Sequence, residues 1–262
     1  VIEKIGDPLD PRIAAYGQVR ERDLVGREGA FIAEGRVVLE KLIAAGRHPV
    51  RSVLVAEPKL AGLAEVLERL DPATPVYVAG QAVMDALVGF HIHRGILALG
   101  ERREADAANL LAGLPERALV VALSGVANHD NMGGVFRNAA AFGADAVLLD
   151  SDCCDPLYRK AIRVSVGAAL TTAFAQLPRG ADMVAMLGAA AFEVVSLSPR
   201  GAVELADFRP AGRTAVLFGA EGPGLAEAVL ARTKTVRIAM AGGFDSLNLA
   251  TTSGIVLHAV TR

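Results

Sequence analysis

From Ala118 to the end of the chain, short apolar runs alternate with amphipathic stretches. "ALVVALSGV" is continuously apolar, the pattern of a parallel strand covered on both faces. "DAVLLD", "TTAFAQL", "FEVVSLS", "TAVLFGA" and "KTVRIAM" read as further strands. Between them, "NMGGVFRNAAAFGA" reads as a helix closing at Gly143, and "PLYRKAIRVSVGAAL" as one helix entered at Pro156. "ADMVAMLGAAA" and "LAEAVLART" read as two more. The final run, "VRIAMAGGFDSLNLATTSGIVL", passes from a strand through Ala241, Gly242 and Gly243 to Asp245 and Ser246. These last two are good N-cap types, opening a terminal helix that holds Asn248, Thr251, Thr252 and Ser253. Six strands alternating with helices predict a doubly wound parallel sheet over residues 118–262.

Residues 1–103 carry the same alternation on a smaller scale. "FIAEGRVVLEKLIAAG" reads as a helix, because Val37, Leu39, Leu42 and Ile43 recur at helical spacing and Gly46 is a stop signal. "VRSVLVAE", "TPVYVAG" and "RGILALG" read as strands, with "GLAEVLERL" and "QAVMDALVG" as helices between them. This is a small α/β domain. Residues 104–117, "EADAANLLAGLPER", read as a linker, in part helical.

The chain has 262 residues, 52% of them hydrophobic and 21% charged, enough for a sizeable core. No apolar run reaches the length of a membrane span, and the opening residues show no signal-peptide pattern. Cys153 and Cys154 are the only cysteines and are adjacent, which suits neither a structural disulfide nor, without well-spaced histidines, a zinc site. A reducing, cytoplasmic setting and no metal are the expectations. Net charge is −2, which by itself gives no support for nucleic-acid binding. Arg12, Arg20, Arg22, Arg27, Arg36, Lys41, Arg47 and Arg51 nevertheless crowd the first half of the first domain, partly offset by Glu21, Asp23, Glu28, Glu34 and Glu40. Two readings are open: a solvated mixed-charge surface, or a positive face that meets phosphates.

Three polar or glycine-rich loops follow strands of the second domain, where open α/β sheets bind ligands. The first runs from Ala127 to Gly134 and includes His129, Asp130 and Asn131, with Arg137 in the helix beyond. Asp130 or Asn131 suits a cap, whereas Arg137 among Val135, Phe136, Ala139, Ala140 and Ala141 calls for a partner, either a phosphate or carboxylate or a structural ion pair. The second loop is Glu221-Gly222-Pro223-Gly224, a site candidate or a helix-dipole carboxylate. The third is the glycine loop before Ser246, a site wall or ordinary packing. The Rossmann glycine fingerprint, the P-loop and the nucleophile elbow are all absent, which argues against a nucleotide-dependent oxidoreductase. His91 and His93 read as strand alternation, and His129 stays a weak candidate because of its loop.

Taken together, "HDNMGGVFRNAAAFGADAVLL", "LFGAEGPGL" and "IAMAGGFDSLNLATTSGI" resemble the three signature motifs of the SpoU/TrmH branch of the SPOUT methyltransferases, in order and with fitting separations. "GAFIAEGRVVLEKLI" and "GFHIHRGILALG" resemble, more loosely, that family's N-terminal RNA-recognition domain, which is similar to small ribosomal-protein domains. Where the family often has proline, this chain has Ala239, and His129-Asp130 stands where a proline or polar pair is common. The resemblance implies a parallel-sheet domain with a deep C-terminal trefoil knot, preceded by a small α/β ribosomal-protein-like domain. It implies a homodimer that transfers a methyl group from S-adenosyl-L-methionine to a ribose 2′-hydroxyl of RNA, either tRNA or rRNA. Family site positions fall on Arg137, Asn131, Glu221, Ser246 and Asn248, and the cofactor is expected against Gly219, Ile238, Met240 and Leu247. Arginine stays protonated, so Arg137 is better suited to orienting a phosphate or stabilising an alkoxide than to acting as a simple base. The alternative reading is a non-catalytic RNA-binding or ribosome-associated protein with a vestigial cofactor site.

Overall fold

The continuous apolar run at Ala118 lies at the heart of a seven-stranded, all-parallel sheet. A computed structural model describes residues 2–17, 21–89, 94–242 and 246–262, with the side chains of 21–23 also left undescribed. Arg20, the side chain of Arg22, His91, His93 and Asp245 therefore lie outside the described residues. The chain divides into two compact units: residues 1–103 with 157–171, and residues 104–156 with 172–262.

In the second unit the strands are β6 (Ala118–Leu123), β7 (Ala146–Leu149), β8 (Phe174–Gln176), β9 (Glu193–Leu197), β10 (Val203–Glu204), β11 (Arg213–Phe218) and β12 (Lys234–Arg237). Their order across the sheet is β10-β12-β9-β11-β6-β7-β8. In register, Val120 sits opposite Ala215 and Leu123 opposite Phe218. Because side chains alternate along a strand, Val120, Ala122, Leu148 and Leu217 bury one face against Leu111, Leu187 and Phe192. Val121, Leu123, Val147 and Leu149 turn to the other face and are equally buried. Phe136, from the helix His129–Ala141, meets the Phe174 ring edge-on at 5.7 Å.

That helix packs against the terminal helix Leu249–Val260 with almost no space between them. A Cβ on Gly134 would lie 2.5 Å from the Ala250 Cβ. Asn138 donates from its side chain to the Ala250 carbonyl at 2.7 Å and to the Ser253 hydroxyl at 2.9 Å. Ser253 in turn donates back to the Ala250 carbonyl, so its hydroxyl is satisfied within this contact.

Several elements depart from the sequence reading, each for a local reason. The segment 31–46 is not one helix: Gly35, at φ +98°, separates strand β2 (Ala30–Glu34) from the helix Arg36–Ala45. Residues 157–171 are not one helix either. Arg159–Val164 ends in a Schellman turn, in which Gly167 donates to the Ile162 carbonyl and Val166 to that of Arg163. Val166 occupies the left-handed position at φ +52°, a strained place for a β-branched residue. A short helix, Ala168–Thr171, follows. Within residues 104–117 the helical part is Ala107–Ala112, capped by the Asp106 carboxylate, and Leu111 is buried in the second unit's core. Glu227–Leu230 is shorter than the periodicity suggested, and β10 adds a strand where a loop was expected. The terminal helix opens at Asn248 rather than at Ser246, because the Asn248 carboxamide oxygen accepts from the Thr251 N–H.

The first unit holds a five-stranded mixed sheet, with β1 (Ile2–Ile5), β3 (Val50–Ala56), β4 (Val76–Ala79) and β5 (Ile96–Glu101) joining β2 in the order β1-β4-β3-β5-β2. Phe31 lies over Gly100, its partner in the antiparallel β2–β5 ladder, where a Cβ would overlap the ring. The segment 157–171 is tied on by polar contacts. Arg159 pairs with Glu34 at 3.0 Å, Lys41 donates to the Val166 carbonyl at 2.6 Å, and Arg47 donates to that of Thr171 at 2.9 Å.

His48 is buried against the edge of Phe31, with its Nδ1 accepting from the Arg103 N–H. Desolvation, reinforced by Arg102 and Arg47, pushes its pKa down to about 4. The unfolded imidazole binds its proton near the ordinary value of about 6.5, so between about 4 and 6.5 the unfolded chain holds the extra proton. Stability therefore falls as pH drops through that window. Urea midpoints at pH 7 and pH 5 will show a loss on the order of 2 kcal/mol, and His48→Gln will flatten most of it. Gly134→Ala will also destabilise, by about 1 kcal/mol, because overpacking against Ala250 outweighs the helix-propensity gain. Adding Ala250→Gly to that variant will restore its urea midpoint.

Candidate active site

Parallel strands end their ladders on the same edge, and β9, β11 and β12 together open a cleft of about 650 Å³ beyond their carboxyl ends. Gly219 and Glu221 enter from the β11 loop, Ile238 and Met240 from just past β12, and Ser246, Leu247 and Asn248 from the approach to the terminal helix. Ile238 and Met240 stand in the loop, since β12 ends at Arg237 rather than at Met240.

The β11 loop folds back on itself. Gly224 donates to the Ala220 carbonyl, Gly222 and Gly224 have φ of +87° and +68°, and a Cβ on Gly219 would come within 2.5 Å of the Gly224 backbone. These glycines permit a turn that no side chain would fit. Glu221 sits on that turn, well before the helix Glu227–Leu230, and so is not a dipole carboxylate of that helix.

One side chain joins the three loops. The Asn248 carboxamide donates to Asn131 Oδ1 at 2.8 Å and to Glu221 Oε1 at 3.3 Å, while its oxygen caps the terminal helix. Asn131 is 4% exposed and stands behind Asn248 rather than in the cleft wall. Its own position is set by Asn128, whose side chain accepts from the Asp130 and Asn131 N–H groups and caps the helix. The cap is thus Asn128, not Asp130 or Asn131.

Arg137 is not brought to this cleft. Its helix faces its apolar neighbours Val135 and Phe136 inward and leaves Arg137 exposed. Six residues from Asn131 is not a whole number of helical turns; Asn138, seven away, shares the Asn131 face instead. His129 opens the helix and does not line the cleft. Ser198, Pro199 and Arg200, which follow β9, do line it. The sequence reading passed over them, although they follow a strand end as the other three loops do. Arg200 meets Glu227 at 3.1 Å with both side chains more than 80% exposed, a contact weak enough to exchange for a ligand.

Cys153 takes no part in site chemistry. Its thiol donates to the Leu123 carbonyl and accepts from the Val126 N–H, and burial pushes its pKa up to about 12. Burial likewise raises Cys154 to about 11. Both remain protonated thiols at neutral pH. Among the described residues no group of His, Cys, Asp and Glu is placed to hold a metal ion, and no helix is long and apolar enough to cross a membrane.

Residues 118–258, a span that contains every residue of this cleft, match the SpoU rRNA Methylase family. The chain belongs to that family. An uncharacterized tRNA/rRNA methyltransferase of Mycobacterium bovis is 36% identical over 271 residues, covering 100% of this chain and 92% of the relative. The 23S rRNA (guanosine-2′-O-)-methyltransferase of Acinetobacter baylyi is 30% identical over 237 residues, covering 83% of this chain and 95% of that one. The fold is that of an AdoMet-bound rRNA methyltransferase from Sinorhizobium meliloti, with TM-score 0.82, 22% identity and coverage of 98% and 97%. It is also that of the SpoU methyltransferase AviRb from Streptomyces viridochromogenes in complex with AdoMet, with TM-score 0.82, 23% identity and coverage of 97% of each chain. The three loops that Asn248 ties together all lie within the matched span.

Removing the Asn248 side chain separates its two roles. Asn248→Ala loses the helix cap and will cost about 1 kcal/mol in a urea titration, whereas Asn248→Ser keeps a capping oxygen and will recover most of that. Both variants lose the link to Asn131 and Glu221.

Proposed function

We propose that this SpoU-family chain transfers the methyl group of S-adenosyl-L-methionine to a ribose 2′-hydroxyl of structured RNA, tRNA or rRNA, as a cytoplasmic homodimer. The observation that carries this reading is the Asn131–Asn248–Glu221 connection at a cleft beyond the strand ends. AdoMet in the two solved structures of the same fold supports the cofactor, and the 2′-O activity of the Acinetobacter baylyi relative supports the acceptor.

The residues present fit the cofactor. A cleft of about 650 Å³ lies within the range of small-molecule sites. Leu197, Ile238, Met240 and Leu247 offer apolar surface to a flat adenine, and Ser246 and Thr252 offer hydroxyls to its polar groups. The close fold of Gly219 on Gly224 leaves backbone where a side chain would fill the slot. When bound, S-adenosyl-L-methionine supplies a methyl group already activated on sulfonium.

The chain's remaining work is alignment and removal of one proton. Asn248 has both carboxamide hydrogens and its oxygen engaged, so it orients Glu221 rather than gripping substrate. Asn131 is a positioning residue behind it. Glu221 keeps a second carboxylate oxygen able to accept from a ribose hydroxyl. Arg137 holds the adjacent phosphate and stabilises the developing alkoxide. Because Arg137 is exposed and outside its own chain's cleft, it serves the cleft of the second subunit. A substrate defined by its 2′-hydroxyl excludes DNA. In this reading the first unit is the ribosomal-protein-like RNA-recognition domain, and the C-terminal segment completes a deep trefoil knot. Close passage of Gly201 over the Val236–Arg237 backbone supports that threading.

Subunit mixing tests the assignment. Arg137→Ala and Glu221→Ala homodimers will each lose methyl transfer to RNA while still binding cofactor. A random mixture of the two subunits will regain about a quarter of wild-type activity, since half of the dimers contain one intact composite site. No recovery on mixing would refute the shared site, and full turnover by Arg137→Ala would remove that residue from the chemistry.

A further inference from the structure

The first unit contains its own cavity, of about 480 Å³, at the start of the helix Arg36–Ala45. Its rim carries Arg36, Lys59, Arg94 and Arg163, against, among the described residues, the single carboxylate of Glu34. That carboxylate is already neutralised by Arg159 at 3.0 Å. Arg36 is held in place by Glu40 at 2.7 Å and by the Gly62 carbonyl at 2.9 Å. Lys59, Arg94 and Arg163 are exposed, and among the described residues no carboxylate lies within ion-pair distance of them. Three unneutralised cations converging on one cavity constitute a site for a polyanion.

The backbone is shaped to keep them there. Arg94 lies across Gly35, where a Cβ would meet its Cδ at 3.1 Å and its Nη1 at 3.3 Å. The Lys59 stem lies beside Gly95, 3.4 Å from where a Cβ would be. Arg163 precedes the strained Val166 turn, whose carbonyl is pinned by Lys41. The helix start adds to the positive field, with Gly35 as a cap lacking a side-chain acceptor and no acidic residue in the first turn. Buried Val38, Leu63 and Ile96 make the base of the cavity apolar, a surface suited to a sugar or base edge between phosphates.

We propose that this cavity docks the phosphodiester backbone of the RNA substrate. The inference rests on the RNA methyltransferase reading and adds a named contact surface to it. It also gives the excursion of residues 157–171 a purpose, because Arg163 reaches the first unit from within the sequence of the second.

The full chain carrying Arg94→Glu and Arg163→Glu tests this, with an unchanged thermal midpoint as the check on folding. If the midpoint falls, Arg94→Gln with Arg163→Gln replaces it. The probe is bulk bacterial ribosomal RNA, titrated over a series of salt concentrations. Affinity will fall at least about tenfold, and the slope of log K against log salt will shrink by about 1.4–1.8 for two lost phosphate contacts. Calorimetric binding of S-adenosyl-L-methionine will not change. A control with Arg69→Glu and Arg179→Glu, exposed arginines outside the cavity, will retain wild-type RNA affinity.

The docking site is overturned if the double variant keeps its RNA affinity and salt slope, or if the control weakens equally. It is also overturned if inorganic phosphate binds saturably in the cavity without competing with RNA, which would mark a free-phosphate site. A wild-type chain that binds neither RNA nor cofactor overturns the functional reading as well. A wild-type chain that binds both, alongside an unaffected variant, overturns the docking site alone.

Discussion

The cleft beyond β9, β11 and β12 depends on where one carboxamide points. Asn248 begins the terminal helix, reaches the buried Asn131 on a neighbouring helix, and holds the Glu221 loop. Those three positions are far apart in sequence: Asn131 in the first turn of the helix after β6, Glu221 in the loop after β11, and Asn248 at the start of the terminal helix. Its oxygen is committed to the Thr251 N–H, so its two donors are forced to face the other loops. The cap that stabilises the helix thereby also sets the geometry of the cleft. Coupling of this kind makes substitutions at the three positions non-additive.

The helix pair beneath the cleft makes that arrangement possible. Gly134 lets Ala250 approach to contact, and Asn138 hydrogen-bonds across the gap to the Ala250 carbonyl and the Ser253 hydroxyl. The serines and threonines of the terminal helix, unexplained by amphipathicity, have specific work. Ser253 satisfies Asn138, and Thr252 donates to the Asn248 carbonyl. Such contacts tie the terminal helix to the sheet domain by directional bonds as well as by apolar burial. The register of Asn248 against Asn131 is fixed as a result.

Much of the architecture was legible in the residue pattern. Buried parallel strands announce themselves as continuous apolar runs, which is why β6, β7, β9 and β11 are readable. What failed were places where local pattern is silent. β2 was absorbed into a helix because the apolar run continues past Gly35, and only the positive φ there divides them. The break at Val166 was hidden because a valine occupies a conformation usually reserved for glycine. Nothing in amphipathicity says which sheet a helix will cover, so the move of residues 157–171 to the first unit was unreadable. The exposure of Arg137 is not readable from its apolar neighbours, since composition around a residue does not reveal its helical phase. Arg200 was missed although the strand-end rule applied to it.

The proposal rests on a cleft tied by Asn248, an exposed Arg137 and a cationic cavity on the first unit. The claim beneath all of them is ribose methylation of RNA. The most direct measurement is a map of 2′-O-methylated nucleotides in total RNA from cells with and without this gene. The account predicts that a methylated ribose in tRNA or rRNA is lost without the gene, and returns with the wild-type chain but not with Arg137→Ala. An unchanged set of methylated riboses would contradict it.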